Sequence, residues 1–136
     1  DQIQQLKIGE YMDKLITEII ESYSLTNKTK IDITSNSVKA DINIMVPIGL
    51  LMNELITNSV KYAGTENLEL KIEIEEVNKK LYIRYNDNGE GFDIEETPHS
   101  FGIDMIKRMI RQVEGEIIFS KPGSHEVKIS IPLNSN

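Results

Sequence analysis

Three polar side chains, spaced for one face of a helix, are the first candidates for chemistry in this sequence. Glu54, Asn58 and Lys61 follow one another at intervals of four and three residues, so on an α-helix they form a single column. The amide oxygen of Asn58 suits Mg²⁺, which keeps waters and phosphate oxygens as its other ligands. Glu54 could take a proton or orient a nucleophile, and Lys61 could pair with a phosphate. The same residue types also occupy ordinary solvated helix faces.

A second candidate is the segment DNGEG at positions 87–91. Its two glycines, Gly89 and Gly91, permit positive φ and allow another group to approach the backbone closely. An ionised carboxylate accepts hydrogen bonds but donates none. At the floor of a pocket, Asp87 would therefore select a ligand with an N–H group, such as the exocyclic amine of adenine. The alternative is a tight turn in which Asp87 binds the amides of its own loop.

A third candidate is Ser100-Phe101-Gly102, which opens a predicted helix. The unpaired amides and the dipole at a helix start can hold a phosphate group. The alternative is that Ser100 is an ordinary N-cap. Neither GxxxxGKS nor GxxxxGKT is present, so the sequence excludes a P-loop nucleotide site.

Hydrophobic periodicity predicts the helices that would carry these residues. Apolar residues recur at intervals of three and four in three stretches. The predicted helices are Gln2–Tyr23, Pro47–Tyr62 and Gly102–Glu114. Pro47 suits a first helical turn, whereas Ala63-Gly64 and Gly115 are typical stops. In the central helix, the predicted buried stripe is Ile48, Leu51, Met52, Leu55 and Ile56.

Alternation of apolar and polar residues predicts the strands. They are Ile31–Thr34, Val38–Asn43, Leu68–Glu75, Leu81–Tyr85, Glu116–Ser120 and Glu126–Leu133. Asn78–Lys80 is predicted to turn one hairpin and Lys121–Ser124 another. Because the strands alternate, one face of the sheet is solvated and the helices must cover the other. We therefore predict an α/β fold, a two-layer sandwich of a mixed β-sheet with three main helices on one face.

Composition limits the classes of function. A chain of 136 residues suits one domain. Its net charge of −7 and lack of a concentrated basic surface argue against nucleic acid as a partner. No apolar run is long enough to cross a membrane, so we expect no membrane contact by this domain. The absence of cysteine and the presence of only two histidines argue against zinc and fit a reducing, cytoplasmic compartment.

Three segments in this order and spacing resemble the GHKL ATPase superfamily: NELITNSVKY, DNGEGF and SFGIDMIKRMIRQVEGEI. Within it, the stretch from about Tyr11 to Leu133 resembles the catalytic, ATP-binding domain of a sensor histidine kinase. Glu54 at the first position of the N box, within PIGLLMNELITNSVKYA, resembles the subfamily related to the HWE group. The resemblance implies the Bergerat ATP-binding fold, with ATP and Mg²⁺ as cofactors.

The resemblance also implies roles for individual residues. Asn58 matches the asparagine that coordinates Mg²⁺ on the triphosphate, and Glu54 the polar catalytic residue one turn earlier. Asp87 matches the aspartate that reads the adenine amine. Lys61 matches a position that borders the phosphates, where it is also predicted to be catalytic. The other positions predicted to contact nucleotide are Tyr62, Gly89, Gly91, Phe92, Ser100, Gly102 and Ile103.

The sequence departs from the family pattern in three places. The second glycine box, often GxG, has Ser100 at its first position. Gly91 and Gly102 are close together, so the lid over the nucleotide must be short. A threonine usual in the last hairpin is not evident, and Ser124 is the nearest hydroxyl. Contacts from the lid to phosphate are therefore the part of the resemblance that the sequence supports least.

The phosphoacceptor of a histidine kinase is missing from this sequence. In the family, the phosphorylated histidine lies on a dimerising helical hairpin upstream, and neither His99 nor His125 matches it. Residues 1–10 could be a remnant of the linker from that hairpin, with 11–136 as the single kinase domain. The predicted partners are this upstream domain and a response regulator, and the full-length protein could be anchored in a membrane.

Three alternatives remain open from the sequence. One is a serine kinase of the anti-sigma-factor type, and another is a chaperone- or gyrase-like ATPase in which Glu54 activates water. The third is a degenerate module that uses the fold for protein contact and binds no nucleotide. The kinase interpretation requires that Asp87 and Asn58 meet across a single cavity.

Overall fold

A computed structural model describes residues 5–23, 28–35, 38–62, 66–89, 101–119 and 126–133. The helices in these ranges are α1 (Ile8–Ser22), α2 (Ile42–Tyr62) and α3 (Phe101–Gln112). The strands are β1 (Gln5–Lys7), β2 (Thr29–Thr34), β3 (Lys39–Asp41), β4 (Leu68–Val77), β5 (Lys80–Asp87), β6 (Glu116–Phe119) and β7 (Glu126–Pro132). None of these helices combines the length and apolar character that crossing a membrane requires.

The main sheet has five strands in the order β2-β4-β5-β7-β6. β2 runs parallel to β4, and the other neighbours are antiparallel, so the predicted mixed sheet is confirmed. Burial alternates along β4 and β5, as expected for strands with one dry and one wet face. A separate two-stranded sheet pairs β1 with β3.

All three helices pack on the dry face of the main sheet and share one core with it. The predicted stripe of α2 is buried in full, since Ile48, Leu51, Met52, Leu55 and Ile56 are each at most 5% exposed. Burying an aliphatic side chain of this size contributes roughly 1.5–3 kcal/mol. This core also contains Met12 and Ile16 of α1, Ile106 and Ile110 of α3, and Leu70, Ile72, Ile83 and Tyr85 of the sheet. The predicted two-layer sandwich is confirmed.

Two predicted helix starts are wrong. α1 begins at Ile8 rather than Gln2, because Gln5–Lys7 forms a strand against Lys39–Asp41 instead. α2 begins at Ile42 rather than Pro47, so Pro47 lies inside the helix. Proline removes one helical hydrogen bond, but the preceding turn is retained because Met45 is buried in the core. Tertiary packing thus overrides the local preference.

The turn between β4 and β5 is confirmed at its predicted place. Asn78 and Lys79 both have positive φ, of 51° and 62°. Two consecutive left-handed residues are typical of a type I′ turn, whose twist matches that of the flanking strands. This tight turn sets the register of the hairpin, in which Asp87 at the end of β5 lies opposite Leu70.

The C-terminus of α3 is closed by a Schellman motif. The amide of Gly115 donates to the carbonyl of Ile110 (2.9 Å), and the amide of Glu114 donates to that of Arg111 (3.0 Å). The left-handed residue is Glu114, with φ of 57°, rather than the glycine. Gly115 is needed for a different reason, since a Cβ there would lie 2.6 Å from the carbonyl oxygen of Ser130.

We expect Gly115→Ala to destabilise the fold by about 1–3 kcal/mol, because the added methyl group overpacks against the backbone of β7. The opposite sign is expected for Glu114→Gly, which removes a left-handed strain of roughly 1–2 kcal/mol. Urea unfolding of both variants measures these changes. Equal midpoints for Gly115→Ala and the unmodified chain would contradict the close approach to Ser130.

Candidate functional site

The carboxylate of Asp87 lies where the end of β5 meets α2. Ser59 Oγ of α2 donates a hydrogen bond to Asp87 Oδ2 at 2.6 Å. The amide of Gly89 donates to Asp87 Oδ1 at 2.9 Å, so the Asx-type turn expected as an alternative is present as well. Both carboxylate oxygens thus receive a donor, which fixes the plane of the group. Ser59 directly follows Asn58, so Asp87 contacts the helix turn that carries the predicted metal ligand.

Tyr85 extends this contact into the core. Its hydroxyl lies 2.6 Å from Ser59 Oγ and 3.3 Å from the carbonyl oxygen of Leu55. Tyr85 is 2% exposed and Ser59 is 4% exposed, so the hydroxyl groups must satisfy each other rather than bind bulk water. The resulting chain of polar side chains runs from Tyr85 through Ser59 to Asp87.

Burial dominates the titration of Tyr85. Desolvation raises the pKa of its phenol well above the usual range, the hydrogen bond with Ser59 opposes this shift, and the negative charge of Asp87 adds to it. All three effects follow from placing a phenol in an apolar core next to a carboxylate. Tyr85 therefore remains a neutral hydrogen-bond donor at physiological pH.

The raised pKa of Tyr85 predicts a loss of stability at alkaline pH. An unfolded chain can ionise this phenol above about pH 10, while the folded chain cannot, so stability is complete below that pH and falls as the pH rises further. We expect Tyr85→Phe to show a flatter decline between about pH 9 and pH 11. Urea unfolding at several pH values measures this, with Tyr82→Phe as the control, because Tyr82 lies on the wet face of β5. An equally steep decline in both variants would contradict the assignment.

Asn88 ties the end of β5 to the start of β4. Its backbone amide donates to the carbonyl of Glu69 (3.1 Å), and its side-chain oxygen accepts from the amide of Glu69 (2.7 Å). Its side-chain nitrogen donates to the carbonyl of Asn67 (2.9 Å). The position that follows Asp87 is therefore fixed by three hydrogen bonds to the neighbouring strand and the residue just before it.

The three residues of the predicted column differ in exposure. Asn58 is buried, at 8% exposed, Glu54 is half-buried and Lys61 is exposed. No hydrogen bond joins the side chain of Asn58 to another side chain among the described residues. Burial of a carboxamide is costly unless it gains a partner, which distinguishes Asn58 from an ordinary solvated position. Its role as a metal ligand stays a prediction, as do the catalytic roles of Glu54 and Lys61.

The remaining predicted contacts are described only in part. Gly89 is buried and donates to Asp87. Gly102 and Ile103 belong to the first turn of α3, and Tyr62 is the last residue of α2. Gly91, Phe92 and Ser100 lie outside the described residues, as do His99, Ser124 and His125. Their predicted roles stay predictions.

Sequence reasoning missed Ser59 and Tyr85. A signal for Ser59 exists, because it continues the apolar stripe of α2 at four residues from Leu55 and three from Ile56. A polar residue on a buried face needs a partner. The sequence predicts Tyr85 only as the last residue of a strand, although a buried tyrosine hydroxyl usually finds a hydrogen-bond partner.

The sequence matches a known protein family over most of its length. Residues 43–135 match the family described as histidine kinase-, DNA gyrase B- and HSP90-like ATPases. A comparison with curated proteins found no match. The family match covers α2, the Asp87 segment, α3 and the last hairpin, and hence every predicted site residue.

Solved structures of histidine kinases share this fold. The histidine kinase domain of the Erythrobacter litoralis EL346 blue-light activated kinase gives a TM-score of 0.80 at 18% identity, covering 94% of this chain and 62% of that one. Acinetobacter baumannii AdeS gives 0.70 at 20% identity, covering 99% and 70%. Mycobacterial MprB gives 0.72 at 12% identity, covering 95% and 97%. This chain thus spans less than two thirds of the first structure, and at such identities the similarity shows a common fold.

Proposed function

This chain belongs to the family of histidine kinase-, DNA gyrase B- and HSP90-like ATPases, and we propose that it is the ATP-binding catalytic domain of a sensor histidine kinase. The observation that supports this most directly is the 2.6 Å contact between Ser59 and Asp87. It joins the carboxylate predicted to read adenine to the helix that carries Asn58. An accidental surface column on α2 would not explain this contact or the burial of Asn58.

Asp87 is proposed to recognise the base. Ser59 and Gly89 each donate to one oxygen of the carboxylate, which has about four lone-pair sites, and the exocyclic amine of adenine would donate to another of these sites. The surrounding donors hold it in one orientation before the ligand arrives. Such preorganisation reduces the entropy lost on binding.

Asn58 is proposed to hold the magnesium ion that accompanies the triphosphate. Within the described ranges, no three acidic, histidine or cysteine side chains come together as an all-protein metal site would require. A single buried carboxamide fits instead a hard ion whose other ligands are phosphate oxygens and water. When bound, the ion would offset phosphate charge, which this chain, with a net charge of −7, does not offset by its overall charge.

Glu54 and Lys61 are proposed to act at the terminal phosphate. Glu54 lies one turn before Asn58 on α2, where a half-buried carboxylate can accept a proton from an attacking nucleophile or orient it. Lys61 is exposed in the last turn of the helix and can pair with phosphate as a point charge. Catalysis of this kind consists mainly of positioning and charge stabilisation.

The proposed acceptor is a histidine on a separate dimerisation domain, from which a response regulator would take the phosphoryl group. Glu54 in the N box supports the HWE-related subfamily, and the proposed location of the domain is the cytoplasm. The two histidines of this chain, His99 and His125, do not match the acceptor. The isolated chain is thus expected to bind ATP without phosphorylating itself.

Transfer in trans tests this proposal. The chain is incubated with labelled Mg·ATP and a helical hairpin that carries the candidate histidine. We expect a phosphoprotein that is stable to base and labile to acid, and none when the histidine is replaced by alanine. Acid-stable phosphoserine on the acceptor would support the serine kinase alternative instead. Rapid release of inorganic phosphate without any acceptor would support a gyrase- or chaperone-like ATPase.

A further inference from the structure

Two buried hydroxyl groups behind Asp87 have no assigned part in nucleotide binding. Ser59 comes from α2 and Tyr85 from β5, and both are almost fully buried. Their oxygens are 2.6 Å apart, and Ser59 is in turn 2.6 Å from the carboxylate. The two elements that flank the proposed nucleotide site are therefore joined through this pair.

The protons in this pair have a defined direction. A carboxylate only accepts, so the single proton of Ser59 points to Asp87. Ser59 Oγ must then accept from Tyr85. The hydroxyl oxygen of Tyr85 lies 2.6 Å from Ser59 Oγ and 3.3 Å from the carbonyl oxygen of Leu55. The shorter distance is within the normal range for an O–H···O bond and the longer one is not. The order is Tyr85 to Ser59 to Asp87.

We propose that Ser59 and Tyr85 are positioning residues for base recognition, and that their relay of hydrogen bonds fixes Asp87 as an acceptor directed at the 6-amino group of adenine. This inference rests on the proposed function, because it concerns the same site. It adds two residues, Ser59 and Tyr85, to which the sequence analysis assigns no role in the site. It also assigns them to selectivity for the base rather than to affinity for the triphosphate.

Packing alone does not explain this pair. Ser59 continues the apolar stripe of α2, where alanine or valine would bury without any need for a partner. A buried hydroxyl is costly unless it is satisfied, and here the satisfaction ends at a carboxylate rather than at another neutral group. Hydrogen bonds to a charged acceptor are shorter and stronger than neutral ones. The arrangement thus stabilises one orientation of Asp87, which a purely apolar contact could not do.

The hydrogen bonds around Asp87 favour a base that carries an amino group. With donors on both oxygens, from Ser59 and from Gly89, Asp87 presents only acceptor positions to a ligand. A 6-amino purine offers the matching N–H, whereas a purine with hydrogen at position 6 offers none. Loss of the relay should therefore reduce the preference for ATP over such an analogue more than it reduces triphosphate binding itself.

The test compares two ligands on the complete chain. Affinities are measured by calorimetry with Mg²⁺ for ATP and for purine riboside triphosphate, which lacks the 6-amino group. The variants are Ser59→Ala, Ser59→Thr, which keeps the hydroxyl, and Tyr85→Phe, with Ser130→Ala and Tyr82→Phe as matched controls on the wet face of the sheet. Circular dichroism establishes that each variant is folded.

We expect Ser59→Ala to lower ATP affinity about tenfold, as for loss of a hydrogen bond to a charged group, and to change analogue affinity by less than about twofold. Ser59→Thr should restore the preference, and Tyr85→Phe should reduce it in the same direction. The inference is overturned if a variant loses affinity equally for both ligands. It is also overturned if ATP affinity is unchanged in Ser59→Ala or in Tyr85→Phe. If Ser59→Ala does not fold, Tyr85→Phe decides alone. Failure of the unmodified chain to bind ATP would instead overturn the proposed function.

Discussion

Replacing Asp87 with asparagine is expected to reduce affinity for ATP by about 10- to 100-fold, which corresponds to the 1.5–3 kcal/mol typical of a hydrogen bond to a charged group. The structure makes this substitution more than a loss of charge. Ser59 donates to one carboxylate oxygen and Gly89 to the other. An amide has only one oxygen, so either orientation of asparagine directs its NH₂ group at an existing donor.

Calorimetric titration of Mg·ATP into the two forms of the chain measures this effect. Asp32→Asn is a matched control, because it makes the same change in charge at an exposed position of β2. The control should bind ATP as the unmodified chain does. Unchanged ATP affinity in Asp87→Asn would contradict the assignment of Asp87 to the adenine amine.

Removal of Mg²⁺ is the second change with a large expected effect. Excess chelator should weaken ATP binding by about tenfold or more, since the metal ion would neutralise part of the phosphate charge. The chain itself carries a net charge of −7, so its overall charge does not neutralise the phosphate groups. Asn58→Ala should reproduce most of this loss in the presence of Mg²⁺ and should then respond little to chelator.

A fluorescent ATP analogue, titrated with and without Mg²⁺, distinguishes these cases. Asn53→Ala is the matched control, because Asn53 is an exposed asparagine on the same helix. Its response to chelator should equal that of the unmodified chain. ATP affinity that is undiminished in chelator would contradict the metal role of Asn58, whatever the effect of Asp87→Asn.

The fold was predictable because its strongest signals are periodic. The stripe of α2 and the alternation of β4 and β5 each follow from where side chains point in a helix or a strand. The helix starts were not predictable in the same way. Pro47 is a good first-turn residue, yet α2 begins at Ile42, because burial of Met45 is a long-range effect that no local pattern contains.

The site was predictable only in its separate parts. Asn58 and Asp87 were singled out by residue type and by resemblance, and the structure adds the contact that joins β5 to α2. That contact is made by Ser59, which lies 28 positions from Asp87 in the chain. A hydrogen bond at this separation depends on the register of the sheet and the placement of the helix. Sequence reasoning could flag Ser59 as an unusual residue on a dry face but could not name its partner.

Asn88 holds the end of β5, and with it Asp87, against the start of β4. Its carboxamide forms hydrogen bonds with Glu69 and Asn67, beyond the last residue pair of β4 and β5. These bonds hold the preceding residue, Asp87, in a fixed position relative to the sheet. The number of residues between Gly89 and Phe101 could therefore change without displacing Asp87. In the proposed site, a change in that length would leave adenine recognition by Asp87 intact, while Asp87 stays joined through Ser59 to the turn of α2 that carries Asn58.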